Sequence, residues 1–295
     1  MTEIFGVPTQ ALFGQLLIGL INGSFYALLS LGLAVIFGLL NIINFAHGAQ
    51  YMMGAFCAYF LANKLGLGYW WALILVPLAI GAFGVIIERL MLSRLYKFDH
   101  LYGLLLTFGL ALIIQGLFRN EFGSAGLPYN MPEQLSGGRN LGFMFLPNYR
   151  AWVIVASLVV CLGTWWVIER TKLGSYLRAA TENPTMVQAF GVNVPRMITL
   201  TYGFGVGLAA LAGVFAEPIY QVSPQMGSSL IIVVFEVVVI GGMGSIMGSI
   251  VTGFGLGIIE GLTKVFWPEA SSTVIFVIMA IVLLIKPAGL FGTQR

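Results

Sequence analysis

Side chains that could carry out chemistry are scarce in this chain. Its two histidines, His47 and His100, are too few to build a metal site. Serine, histidine and aspartate never gather at the spacing of a nucleophilic triad, and no G-x-x-x-x-G-K-[ST] loop is present to hold the phosphates of ATP. We therefore predict that the chain is not an enzyme and that it holds no cofactor and no metal.

One acidic residue stands apart from the other charged side chains. Glu236 lies inside the run Ile-Ile-Val-Val-Phe-Glu-Val-Val-Val-Ile. A charged side chain at the centre of a bilayer costs about 2.5–3.5 kcal/mol on insertion scales. Glu236 must therefore face a partner group, a cavity or another subunit, or be protonated. A role in a pathway or a subunit interface and a structural hydrogen bond within the helix bundle both remain open.

Two glycine-containing interruptions divide the apolar sequence. The first is Asn41-Ile-Ile-Asn-Phe-Ala-His-Gly48, and the second is Gly241-Gly-Met-Gly-Ser-Ile-Met-Gly-Ser249. Irregular backbone at membrane depth occurs only inside protein or beside water, and paired interruptions indicate a transport pathway. Close helix packing is the alternative; it suits Gly248 and the Gly253-x-Gly255-x-Gly257 stretch, whereas contiguous Gly241-Gly242 predicts a break. The pathway candidates are Asn22, Ser24, Asn44, Glu236, Gly241 and Gly242.

A polar loop at 170–196 contains a second candidate site. Asn183 followed by Pro184 predicts a helix start, and Gly191 predicts its end. So short a helix is marginal alone and must pack against the helix bundle or another protein. A plain connector and a docking surface are both compatible with this pattern. The candidate docking residues are Glu182, Asn183, Pro184, Met186, Val187, Phe190 and Gly191.

Composition indicates the elements that must position these residues. The chain is 59% hydrophobic and 8% charged, against about 25% charged in soluble domains. A spanning helix needs about 20 apolar residues, so we predict an all-α polytopic membrane protein with about 8–10 transmembrane or broken helices in a single domain, 1–295. Whether residues 11–44 form one helix or two is open. The predicted spans are 11–29, 30–44, 48–63, 70–90, 99–118, 151–169, 197–217, 228–241, 246–263 and 272–290.

Basic residues predict the orientation of the chain. Cytoplasmic loops are rich in Lys and Arg, and an even number of crossings separates the groups Arg89–Lys97, Arg170–Arg196 and Lys286–Arg295. We therefore expect loop 170–196 on the cytoplasmic side and loop 119–150 on the extracytoplasmic side. The side of the N-terminus is open. Membrane orientation explains the net charge of +3, and we predict no nucleic-acid partner.

Several segments together resemble one family. In order and spacing they are similar to LivH-type permeases, the membrane subunits of branched-chain amino-acid ABC importers, over about residues 12–292. These segments are Asn22-Gly-Ser-Phe-Tyr-Ala-Leu, Ile43-Asn-Phe-Ala-His-Gly48, Arg178-Ala-Ala-Thr-Glu-Asn-Pro, Gly191-Val-Asn, Ala209-Ala-Leu-Ala-Gly213, Gly241-Gly-Met-Gly-Ser245 and Lys286-Pro-Ala-Gly-Leu-Phe-Gly292.

The resemblance implies a function and a set of partners. The chain would pair with a LivM-like permease subunit in the inner membrane, above two cytoplasmic ATPase subunits, and receive its solute from a periplasmic binding protein. ATP hydrolysis would occur in the ATPases, and the helix Pro184–Phe190 would be the coupling helix. Glu236 departs from the family pattern. Import of urea or amide-like solutes and a stand-alone secondary carrier or channel are the alternatives.

Overall fold

The structure is a computed structural model that describes residues 3–4, 7–40 and 42–292. Asn41 of the first interruption and Arg295 of the last basic group lie outside these residues. Within them the fold is all-α, apart from two short antiparallel hairpins. The first hairpin joins β1 (Glu3–Ile4) and β2 (Val7–Pro8), and the second joins β3 (Gly138–Asn140) and β4 (Phe145–Pro147).

Twelve helices account for most of the described chain. Several begin at a side-chain cap that the sequence supplies, because Asp99, Asn183, Asn193 and Ser245 each accept a backbone N–H two or three residues ahead. The helices are α1 (Thr9–Leu40), α2 (His47–Leu65), α3 (Tyr69–Ile87), α4 (Ser93–Leu95), α5 (His100–Phe122), α6 (Asn148–Arg170), α7 (Lys172–Glu182), α8 (Pro184–Ala189), α9 (Val194–Ala216), α10 (Ser228–Gly241), α11 (Ile246–Phe266) and α12 (Val274–Ile285).

The lengths of the apolar helices confirm a multi-pass membrane protein. Among the described residues, six helical segments are long and apolar enough to span a bilayer, and α10 and α12 are shorter apolar helices. The spans predicted at 11–29 and 30–44 form a single helix, α1, which ends at Leu40. The physical reason is that neither proline nor a charged residue interrupts the chain between Ala11 and Leu40. The last helix, predicted at 272–290, is shorter than expected.

The chain divides into two compact units. Unit 1 comprises Met1–Ser30, Asn130–Cys161 and Val233–Arg295, and unit 2 comprises Leu31–Tyr129 and Leu162–Ile232. In unit 1, small residues bring α1 and α11 together, since a β-carbon on Gly23 would lie 3.0 Å from the Cα atom of Phe254. This close backbone approach is typical of membrane helix packing. Gly253 and Gly257 make such contacts, which confirms their predicted packing role. Gly255 does not, because a β-carbon on it would meet no atom within 4 Å.

Helix α9 is the centre of unit 2. It packs against α2 and α3, and small residues let the three backbones approach closely. A β-carbon on Gly81 of α3 would lie 2.9 Å from the Gly203 carbonyl oxygen, and one on Gly207 would lie 3.0 Å from the Pro77 carbonyl oxygen. Almost every residue of α9 from Thr201 to Ala216 is buried. These helices form the framework for the candidate sites of unit 2.

Candidate functional site

The first interruption is held in shape by polar side chains. Asn44, which is buried, accepts a hydrogen bond from the Ala46 N–H (3.1 Å) and donates one to Oε1 of Gln50 (2.9 Å). The hydroxyl of Thr107 on α5 accepts the N–H of Phe45 (3.1 Å) and lies 3.2 Å from the Ile43 carbonyl oxygen, to which it can donate. The break predicted from the sequence is therefore present, and α5 satisfies its backbone.

A further irregular segment, 217–227, follows α9 and was not predicted as a site. Backbone hydrogen bonds between Leu127 and Val222 hold its outer part (2.8 and 3.0 Å). The Gln115 side-chain amide of α5 donates to the carbonyl of Pro224 (3.1 Å). Two prolines, Pro218 and Pro224, were the available sequence signal, because proline interrupts a helix.

The two irregular segments of unit 2 meet at a pair of glycines. A β-carbon on Gly48 would lie 2.5 Å from the carbonyl oxygen of Gly227. Side chains would keep the backbones apart, so glycine at both positions permits the contact. A buried polar cluster lies nearby in the same unit. Gln50, Tyr202 and Glu88 are all buried, and Tyr202 interacts with both of the other two side chains.

Glu217 begins the irregular segment directly after α9. Its side chain is 1% exposed. Burial raises the pKa of this carboxyl to about 10, because water no longer stabilises its charge, and the nearby backbone of Tyr59 offsets only part of this effect. Burial therefore favours the neutral form of Glu217, which was not among the residues that the sequence singled out.

The second interruption, in unit 1, is closed by the backbone of a distant segment, and, among the described residues, the Ser245 and Ser249 hydroxyls form hydrogen bonds only within the interruption itself. Gly242 has a φ of +103°, which only glycine adopts readily, and this confirms the break predicted at Gly241-Gly242. The N–H groups of Leu290 and Phe291 donate to the carbonyls of Ile240 (2.8 Å) and Gly241 (3.1 Å). The segment after α12 thus occupies the end of α10. A role for Gly241 and Gly242 in a pathway stays a prediction.

The remaining pathway candidates are distributed over both units. Asn22 and Ser24 lie on the part of α1 that belongs to unit 1, where the Ser24 hydroxyl donates to its own helix at Ile21 (2.6 Å). Glu236 is also in unit 1, 3% exposed, and its Oε2 atom has no partner within the described residues. Asn44 belongs to unit 2. The structure therefore leaves the role of Glu236 as a prediction.

The loop at 170–196 folds into two helices rather than one. Asn183 accepts the Met186 N–H (3.0 Å), and Pro184 begins α8, as predicted. Helix α8 ends at Ala189, one residue earlier than expected, and Gly191 follows with a φ of +84°. Glu182 is the last residue of α7, the helix that the sequence analysis missed.

Helix α7 packs against α8 and against the end of α6. A β-carbon on Gly174 would overlap the carbonyl oxygen of Ile168, so α7 lies directly against the end of α6. Helices α7 and α8 pack against each other and against α9. Leu177 and Val187 are buried, whereas Met186 and Phe190 are 60% and 81% exposed. Part of α8 is therefore packed within unit 2, and its apolar tip has no contact that buries it.

Comparison with known proteins agrees with this arrangement. Residues 15–283 match the model of a family described as "Branched-chain amino acid transport system / permease component". The chain belongs to this family. Several branched-chain amino acid permease relatives cover nearly the whole chain, and no solved structure matches it.

Three relatives illustrate the range of the family. The high-affinity branched-chain amino acid transport system permease protein BraD of Pseudomonas aeruginosa is 31% identical over 94% of this chain and 95% of its own length. LivH of Escherichia coli K12 is 29% identical over 99% of this chain and 98% of its own length. LivM of the same organism is 27% identical over 92% of this chain and 68% of its own length.

Proposed function

We propose that the chain is the permease subunit of an ATP-driven importer for branched-chain or related small amino acids in the inner membrane. Its partners would be a LivM-like permease subunit, two cytoplasmic ATPase subunits and a periplasmic substrate-binding protein. The names of BraD, LivH and LivM support the substrate class, since all three denote branched-chain amino acid transport. The similarity of the chain to LivM supports pairing of two related subunits.

The exposed tip of α8 is the observation that carries this proposal. Phe190 and Met186 present apolar surface at the end of a capped helix whose base is packed in unit 2. Exposed apolar side chains on a fixed element mark a protein–protein contact. A stand-alone carrier or channel has no need of such a tip, whereas an importer must connect its permease to the subunits that hydrolyse ATP.

The course of α1 supports the orientation. Helix α1 is a single helix, and α2, which is not one of the six segments long and apolar enough to span a bilayer, is taken as a crossing from the sequence prediction 48–63. Three crossings, α1, α2 and α3, then precede the basic group Arg89–Lys97, and the positive-inside rule supports an N-terminus outside and α8 inside, on the side of the proposed ATPases. Loop 119–150 would lie on the outside, where a binding protein delivers solute.

Replacement of Phe190 by aspartate tests the coupling role. A buried interface anchor contributes about 2 kcal/mol or more, so Phe190→Asp should weaken ATPase binding by a factor of about 30. We expect the ATPase subunits to be lost on co-purification and substrate-stimulated ATP hydrolysis to fall, while the permease stays in the membrane. Leu141→Asp, which also charges an exposed apolar side chain, is the matched control. Unchanged co-purification and ATP turnover in Phe190→Asp would make the loop a connector.

A further inference from the structure

Unit 2 contains a cavity between its two irregular segments. Its volume is about 280 Å³, and its wall comes from three places: the first interruption with the start of α2, the middle of α5, and the end of the 217–227 segment with the start of α10. Residues that represent these walls are Phe45, Met52, Ala111, Gln115 and Ile231. All belong to the same unit.

The cavity lies along the middle of α5, a helix that is long and apolar enough to span the bilayer. Helix rise places Thr107 about 10 Å and Gln115 about 22 Å from the start of α5, within a core about 30 Å thick. Each of these side chains forms a hydrogen bond with the backbone of one irregular segment. Thr107 accepts the N–H of Phe45, and Gln115 donates to the carbonyl of Pro224. Helix α5 therefore holds two stretches of non-helical backbone around one space. Irregular backbone at this depth is found where it lines a cavity.

The chemistry and the size of the space limit its occupant. The side chains of the wall are apolar except for Gln115 and Ser228. Its volume of about 280 Å³ lies at the small end of ligand pockets, which suits a solute of the size of an amino acid. The Gln115 amide nitrogen and the Ser228 hydroxyl donate to the carbonyls of Pro224 and Gln225, and their oxygen atoms can still accept hydrogen bonds from an ammonium group, which the hydrocarbon chain of a lipid lacks. An amino acid with a branched aliphatic side chain can contact the apolar wall with that side chain and the polar residues Gln115 and Ser228 with its backbone groups.

We propose that this cavity binds the transported amino acid, with its branched aliphatic side chain against Phe45, Met52 and Ile231. This assignment rests on the proposed function, and it locates the substrate in unit 2. The polar end of the substrate lies toward Gln115 and Ser228. The size of the wall residues then sets which aliphatic side chains pass.

Filling the cavity tests the assignment through side-chain size. Ala111→Leu adds volume to the wall, and Gly116→Leu, on the same helix where a β-carbon meets no atom within 4 Å, is the matched control. Radiolabelled leucine and valine are compared in proteoliposomes that contain the whole transporter, ATP and saturating binding protein. Because a methylene group in a fitted pocket changes rates about tenfold or more, we expect the leucine-to-valine rate ratio to fall about tenfold in Ala111→Leu and to stay constant in the control.

The outcomes separate the inference from the proposed function. A wild-type complex that transports no aliphatic amino acid would defeat the proposed function, and the inference with it. A wild-type complex that transports leucine, with an unchanged ratio in Ala111→Leu, would overturn the cavity assignment alone.

Photolabelling of the unmodified transporter gives a second measurement that does not depend on a variant. A diazirine analogue of leucine should attach to peptides that contain residues 45–52, 108–115 or 224–232, and excess leucine should suppress this labelling. Labelling confined to other peptides would overturn the assignment. Labelling of these peptides that excess leucine does not reduce would also overturn it, and would indicate an apolar surface open to lipid.

Discussion

The two interruptions of this permease look alike in sequence but are built differently. After α1, the backbone is held by side chains from other elements, mainly Asn44 and Thr107. Between α10 and α11, the backbone is held by the backbone of the segment 286–292, through two N–H groups and a glycine-on-glycine contact. The first lies beside a cavity and the buried polar side chains of Gln50, Tyr202 and Glu88. The second has its helix end covered.

Because different groups hold the two interruptions, we expect the first to change its backbone conformation more easily than the second. Side-chain hydrogen bonds can exchange partners when helices shift, because each contributes only about 1 kcal/mol and rotates about single bonds. Backbone pairs at a left-handed glycine are fixed by the course of the chain. The first interruption is therefore suited to a site that changes during transport, and the second to a fixed joint.

The largest effect is expected at the fixed joint. Gly242→Ala places a β-carbon at a positive φ, which costs about 1–2 kcal/mol, and against the backbone of Gly292, which adds about 1–3 kcal/mol for overpacking. We expect a loss of about 3 kcal/mol and a markedly lower melting temperature in detergent. Gly255→Ala, at a helical glycine with open space, is the control. Equal melting temperatures for the two variants would contradict a rigid second joint.

The stability of the protein as a function of pH tests the burial of Glu217, the first residue of the segment 217–227 that contacts the first interruption. The pKa of Glu217 is raised to about 10 in the folded protein, above its value of about 4.3 in an unfolded chain. Between these values only the folded state binds the proton, so stability falls as pH rises. Relative to wild type, Glu217→Gln should gain up to about 1.4 kcal/mol per pH unit between pH 6 and 8, measured by thermal unfolding.

The exposed Glu133 provides the control for this series, as Glu133→Gln. It should follow the wild type at every pH. If the difference in stability between wild type and Glu217→Gln did not change with pH, the Glu217 carboxyl would have the same protonation state in the folded and the unfolded chain, which would contradict the raised pKa.

A smaller effect is expected where one hydroxyl holds the first interruption. Thr107→Val keeps the shape of the side chain but leaves the Phe45 N–H without its acceptor, which costs about 1–2 kcal/mol. The measurement is the melting temperature in detergent. Thr263→Val removes an exposed hydroxyl that bonds only within its own helix, and should change stability by less than about 0.5 kcal/mol. Similar values for both would mean that α5 does not hold the break.

Local signals in the sequence explain which features could be predicted. The Gly241-Gly242 pair and the Asn183-Pro184 start were identified because glycine and capping residues act within a few positions. Nothing local indicates that Gln115 bonds Pro224, or that residues 286–292 cover the end of α10, since these contacts join distant parts of the chain. Helix α7 was missed for the same reason: its place depends on the contact between Gly174 and Ile168.

Helix α9 links two places that are far apart. It begins directly after α8 and ends at Glu217, where the irregular segment beside the cavity starts. Its 23 residues give a rod about 35 Å long. Because α2 and α3 pack against it at backbone distance, a push on the exposed Phe190 cannot be absorbed by bending α9 alone. The three helices would therefore move together, so under the proposed function a displacement of α8 by an ATPase subunit would reach the segment beside the cavity.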